Sequence, residues 1–203
     1  MGHPLAMEEL FGWYQIGLAN ECLMEHGYLD EAAYNNIVLV ACHLDKLPFL
    51  VDFINNYEQK LPAPIRQDVH KWALAQLALQ QGRYEEVRQA FVAWLPKEKK
   101  HAIQARVTLL KAHFKLAIAD KVLLKNFEAA CAAFKVYMRR DKLYTVDKNL
   151  SYLKFIQYAK KIVNYQHQPI WPKNWDLIEK ALEQEPVLAG KRWLKKELAL
   201  LQT

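Results

Sequence analysis

Side chains able to do chemistry are few and scattered along this 203-residue chain. Cys22 and His26 stand four apart, which places them on one face if the segment is helical. Two such ligands begin a zinc site without completing it, because tetrahedral zinc takes three or four protein ligands. No CxxC, HxxxH or HExxH pattern supplies the others. Cys42 and His43 are adjacent, and helix neighbours do not face each other. A thiolate–imidazole dyad there would need a histidine from elsewhere. The acid pairs Glu8–Glu9 and Glu85–Glu86 fall where helices are expected to begin, and the helix dipole favours negative charge at that end. The six glycines are isolated from one another and make no phosphate-cradling loop. These residues predict a protein without catalytic machinery, metal or cofactor.

The basic residues are more informative. Net charge is +6, unevenly placed: residues 1–100 carry −4 and residues 101–203 carry +10. Lys97, Lys99, Lys100, His101 and Arg106 surround an expected helix start, where cations oppose the dipole. Arg139 and Arg140 close another helix, where cations are favoured. Lys154 and Lys161 are seven apart and so share a face, with Lys148 and Lys160 beside it and Tyr152, Phe155 and Tyr158 interleaved. Basic and aromatic side chains together can pair phosphates and stack bases. A solvated lysine face over an aromatic core explains the same pattern, and no nucleic-acid recognition motif accompanies it. The charge asymmetry between the halves points to an acidic partner or to pairing with another segment. Arg106, Lys111, Arg139, Arg140, Lys154 and Lys161 are therefore the candidate partner-binding residues, holding an acidic protein or peptide segment.

The elements that must position these residues follow from composition and periodicity. The chain is 52% apolar and 25% charged, as folded domains are, and has only 6 Gly and 8 Pro. Scarce turn residues favour long helices over sheet. Apolar residues at 3–4 spacing predict ten helices, over about 7–26, 30–43, 47–59, 65–81, 84–95, 99–119, 127–140, 146–165, 173–185 and 189–201. Gly27 and Gly82 read as helix stops, Asp30 as a cap, and Pro62, Pro64, Pro96, Pro169 and Pro172 as corners. Short corners make consecutive helices antiparallel, and a lone hairpin cannot bury its own stripe, so neighbouring hairpins must stack. The expected fold is all-α, a right-handed α-α superhelix with irregular repeats. No linker long enough to divide residues 1–203 into two domains is visible.

No apolar run reaches the length of a membrane span. The start, Met1-Gly2-His3-Pro4-Leu5-Ala6, lacks the charged head and apolar core of a secretory signal and suits a piece of a longer protein. Three widely spaced cysteines, Cys22, Cys42 and Cys131, make no disulfide framework and point to the reducing cytoplasm.

One stretch carries a resemblance. Trp72-Ala73-Leu74-Ala75-Gln76-Leu77-Ala78-Leu79-Gln80-Gln81-Gly82-Arg83-Tyr84-Glu85-Glu86-Val87 resembles a tetratricopeptide repeat, with Ala75, Gly82, Tyr84, Val87 and Phe91 in the small, turn and apolar positions. Weaker echoes lie at Gly27–Ala32 and Lys125–Ala130, separated by about 55 and 43 residues rather than multiples of the family's 34. Tyr34–Val38, Phe53–Tyr57, Arg106 with Leu109–Lys111, Phe134–Arg140 and Trp193–Leu194 also resemble the C-terminal region of long helical-repeat proteins of Bacteroidetes type. The resemblance implies a helical-hairpin solenoid. Such stacks present a concave surface, so the expected function is a protein–protein interaction scaffold. The alternatives are nucleic-acid binding through the basic half and a ligand or enzymatic pocket between helices.

Overall fold

The computed structural model describes residues 4–94, 99–140, 145–170 and 172–202. Among them the chain is all-α apart from one two-residue β pairing. The helices are α1 (Pro4–Ala19), α2 (Glu31–His43), α3 (Leu47–Tyr57), α4 (Ala63–Gln80), α5 (Tyr84–Ala93), α6 (Lys99–Ala119), α7 (Leu124–Arg140), α8 (Val146–Gln166), α9 (Asp176–Gln184) and α10 (Lys191–Gln202). The strands β1 (Met24–Glu25) and β2 (Tyr28–Leu29) pair antiparallel between α1 and α2. Contacts divide the chain into two compact units, Met1–Leu109 and Leu110–Thr203, and the division falls inside α6.

Local chemistry sets several helix ends. Asp30 caps α2, its carboxylate accepting from the Ala33 amide at 3.0 Å. Gly82 adopts φ +75° between α4 and α5, the left-handed turn that lets one helix reverse into the next. At the α3–α4 corner Arg66 clasps the chain: its Nε and Nη2 donate to the Leu61 carbonyl at 3.1 and 2.9 Å, and its Nη1 to Gln59 Oε1 at 2.8 Å. Thr145 caps α8 by accepting from the Lys148 amide.

The first helix departs from expectation. It stops at Ala19, not near residue 26. Glu21 and His26 adopt φ +54° and +50°, and Gly27 φ +80°. Consecutive positive φ at His26 and Gly27 is what a tight two-residue hairpin turn requires, and it joins β1 to β2. Gly27 is therefore a hairpin turn residue, not a helix stop, and the Gly27–Ala32 echo does not join two helices. On α1, Phe11, Gly17 and Leu18 are buried, whereas Leu10 is exposed.

Unit one buries a continuous core of Phe11, Leu18, Leu29, Tyr34, Ile37, Val38, Leu50, Phe53, Ile54, Leu61, Val69, Trp72 and Ala73. Tyr34, Phe53 and Tyr57 stack in sequence with ring centroids 4.9 Å apart at each step. Each such side chain contributes about 1.5–3 kcal/mol by leaving water. The α4–α5 hairpin closes with Val87 and Phe91 buried and the Trp94 indole donating to Asp68 at 3.0 Å.

In unit two α7 packs on α8; Phe127, Cys131, Phe134 and Met138 of α7 and Phe155, Ile156, Ile162 and Val163 of α8 are buried. The α9–α10 hairpin adds Ile178, Leu182, Leu194 and Leu198. Trp193 joins this core edge-on, 5.0 Å from Phe114 and 5.9 Å from Phe155.

Candidate functional site

The six expected anchors fall into different environments. Arg106 lies in unit one and the other five in unit two. Half-buried on α6, Arg106 donates from Nη1 to the Ala102 carbonyl at 3.1 Å. Lys111 is half-buried, with its ammonium 5.3 Å from the centre of the Trp193 ring. Lys154 is ion-paired with Glu185 beyond the end of α9. That same carboxylate accepts from the Tyr158 hydroxyl at 3.2 Å. The Lys154 hydrogen bond holds the Glu185 carboxyl below its usual range. These three cations are built into the fold. Arg139, Arg140 and Lys161 stand exposed on the helix surfaces.

The exposed three are spread along the α7–α8 pair. Phe134 of α7 meets Tyr152 of α8 with ring centroids 6.1 Å apart, and Lys160 acts electrostatically on Cys131. The helices therefore run antiparallel. The Arg139–Arg140 end of α7 sits beside the first turns of α8, and Lys161 sits level with Cys131, about two helical turns away. Lys135 on α7 is also exposed. Unit two as a whole carries 18 basic and 9 acidic side chains, a net +9.

The helix-start cluster at residues 97–106 resolves differently from its appearance in sequence. Lys97 lies outside the described residues. His101 turns inward, 3% exposed, with Nε2 2.9 Å from Glu31 Oε1. The same Glu31 oxygen accepts from Asn35 Nδ2 at 3.2 Å. On α4, buried Gln76 donates to Thr108 of α6. Two polar contacts thus tie α6 to α2 and to α4 in unit one, between residues 70 and 32 apart in sequence. Long-range pairing of this kind leaves no local signal, which is why periodicity alone misses it.

The thiols are separated. Cys22 is exposed and lies beyond the end of α1, so Cys22 and His26 do not share a helix face. Cys42 and Cys131 are buried. Burial pushes the Cys131 thiol up to about 12, against the smaller opposing pull of Lys160. Among the described residues no three His, Cys, Asp or Glu side chains converge as a metal-binding group, and no helix is long and apolar enough to cross a membrane. The chain matches no protein-family model, and neither a curated protein nor a solved structure is similar to it at a significant level.

Proposed function

We propose that this chain is a non-catalytic helical-hairpin protein that holds an acidic segment of a partner protein on the exposed basic surface of its second unit. The observation that carries the reading is the exposure of Arg139, Arg140 and Lys161 in a unit of net +9. Their spread over about two helical turns suits an extended or helical segment with several carboxylates better than a single small anion. The finer architectural reading, a tetratricopeptide-like superhelix with a concave binding face, is supported by the α4–α5 hairpin. There Gly82 takes positive φ, and Ala75, Val87 and Phe91 are buried at the positions expected from the repeat.

The test is fluorescence anisotropy of a labelled oligoglutamate peptide with the full chain at physiological salt. Arg139→Glu with Arg140→Glu is expected to weaken binding about tenfold or more, with unchanged far-ultraviolet circular dichroism. Lys180→Glu with Arg192→Glu makes the same charge change elsewhere on the unit and is expected to leave binding within about twofold. Equal losses in the two double variants would reduce the effect to bulk charge and overturn the assigned surface. Tight binding of a single-stranded oligonucleotide without binding of oligoglutamate would replace the protein partner with a nucleic acid.

A further inference from the structure

We propose that the outward face of α1 docks a cationic amphipathic helix of a partner protein. The face belongs to unit one and does not depend on the acidic-partner reading of unit two. α1 is apolar almost all round: of its 16 residues only Glu8, Glu9 and Gln15 carry a charge or an amide. On one side Phe11 and Leu18 are buried in the core of unit one, with Met7 and Tyr14 packed against it. On the other side Leu5, Trp13 and Ile16 are 66%, 69% and 54% exposed. Steps of three and four residues link Leu5, Glu9, Gly12, Trp13 and Ile16, so a single face of this one helix holds all five over about 16 Å. A helix that is apolar on both sides is the kind that is covered on both.

Relief and charge define the occupant. Leu5–Glu9–Trp13 and Glu8–Gly12–Ile16 are adjacent ridges of four-residue spacing, and Gly12 interrupts the second, with open space where its Cβ would go. That gap, beside Trp13 and Ile16, receives one apolar side chain of a helix laid across α1. Trp13 supplies the large, rigid anchor on which interfaces concentrate their binding energy. Residues 4–30 hold five carboxylates and no lysine or arginine. Glu8, on the flank, is ion-paired with Lys46 at 3.3 Å, while Glu9 lies exposed within the apolar row. A lysine or arginine of the partner complements Glu9. The same charge disfavours other occupants. Two copies of α1 face to face would bring four carboxylates together with no cation from either helix. Anionic lipid headgroups and nucleic-acid phosphates would meet Glu9 where they need a cation. A polypeptide with basic residues beside its apolar stripe satisfies both features.

The experiment measures fluorescence anisotropy of three labelled peptides of equal length with the full chain. One is a leucine–lysine amphipathic helix, one has the same composition reordered to break the stripe, and one keeps the stripe with glutamine in place of lysine. The first is expected to bind about tenfold or more tightly than the second and about fivefold or more tightly than the third. Trp13→Ser with Ile16→Ser is expected to weaken it about tenfold or more. Gly12→Leu fills the gap while removing no contact and no charge; it is expected to do the same, and it carries the test should the serine variant lose helicity. Glu9→Lys is expected to erase the preference for lysine over glutamine. Leu177→Ser, at an exposed leucine of unit two, is expected to leave binding within about twofold. None of these substitutions touches Arg139, Arg140 or Lys161, so oligoglutamate binding is expected to stay as it was. Equal binding of the ordered and reordered peptides, or binding unmoved by Gly12→Leu, overturns the docking face; equal binding of the lysine and glutamine peptides overturns its charge preference. A dimer of the chain in sedimentation velocity, or phosphatidylcholine vesicles bound more tightly than the peptide, either one lost on Trp13→Ser/Ile16→Ser, would give the face to a second copy or to lipid and overturn the proposal.

Discussion

Gly190 packs directly against the ring of Phe155: a Cβ at this glycine would fall 2.9 Å from Phe155 Cε2, and the residue already holds φ +63°. The turn between α9 and α10 is thereby seated on α8, with the Ala189 amide donating to the Ser151 carbonyl at 3.3 Å. Gly190→Ala should destabilise the protein by about 1–3 kcal/mol through combined strain and ring displacement. Gly12, in the middle of α1, has open space where a Cβ would go. Gly12→Ala should stabilise by about 0.5–1 kcal/mol. Urea unfolding of both variants, followed by circular dichroism, reads the opposite signs directly.

The Gln76–Thr108 bond permits a cycle. Thr108→Val removes the acceptor from a buried amide and should cost about 1–3 kcal/mol. Gln76→Leu combined with Thr108→Val removes both polar partners and should recover most of that loss. A double variant as unstable as the single one would show that the loss at position 108 does not come from the stranded Gln76 amide.

Acid should loosen unit two through Glu183 and Glu185. Hydrogen bonds from Lys195 and Lys154 respectively hold these carboxyls below their usual range. A carboxylate with a depressed folded-state value stabilises fully above its unfolded value, about 4.3, and loses that contribution as pH falls through the folded value. Stability measured by urea titration should therefore fall as pH drops below about 4.3, and Glu185→Gln should flatten that slope. A slope unchanged by Glu185→Gln would remove this carboxylate from the acid response.

Thiol chemistry should separate the cysteines. Cys22 is exposed, whereas Cys42 and Cys131 are buried and the Cys131 thiol is pushed up to about 12. Ellman's reagent at pH 8 should find one rapid thiol in the native chain and three in denaturant. Cys22→Ser should abolish the rapid phase.

Where the sequence was legible, the signal was short-range. Asp30, Gly82 and the proline corners place helix ends within a few residues because capping and turn chemistry act over one turn. Residues 20–29 were not legible, because Glu21 and His26 adopt the left-handed backbone without being glycine. Spacing correctly placed Lys154 on a helix face but carried no information about Glu185, 31 residues later, returning to meet it. His101 read as a member of a basic cluster because Glu31, its partner, is 70 residues away. Val136 and Leu150 are apolar yet both face solvent, since a helix with apolar residues on two faces gives no sign of which face the fold will cover.

The Lys154–Glu185–Tyr158 contact has a consequence for any residue-by-residue dissection of recognition. Reversing the charge at position 154 would set two carboxylates together and strip Tyr158 of its acceptor's geometry, prising the tail helices from α8. A partner released by that substitution would be reporting a loosened scaffold, not a lost handhold. Lys161, about two turns further along the same helix and exposed, is where an equivalent reversal would interrogate recognition itself.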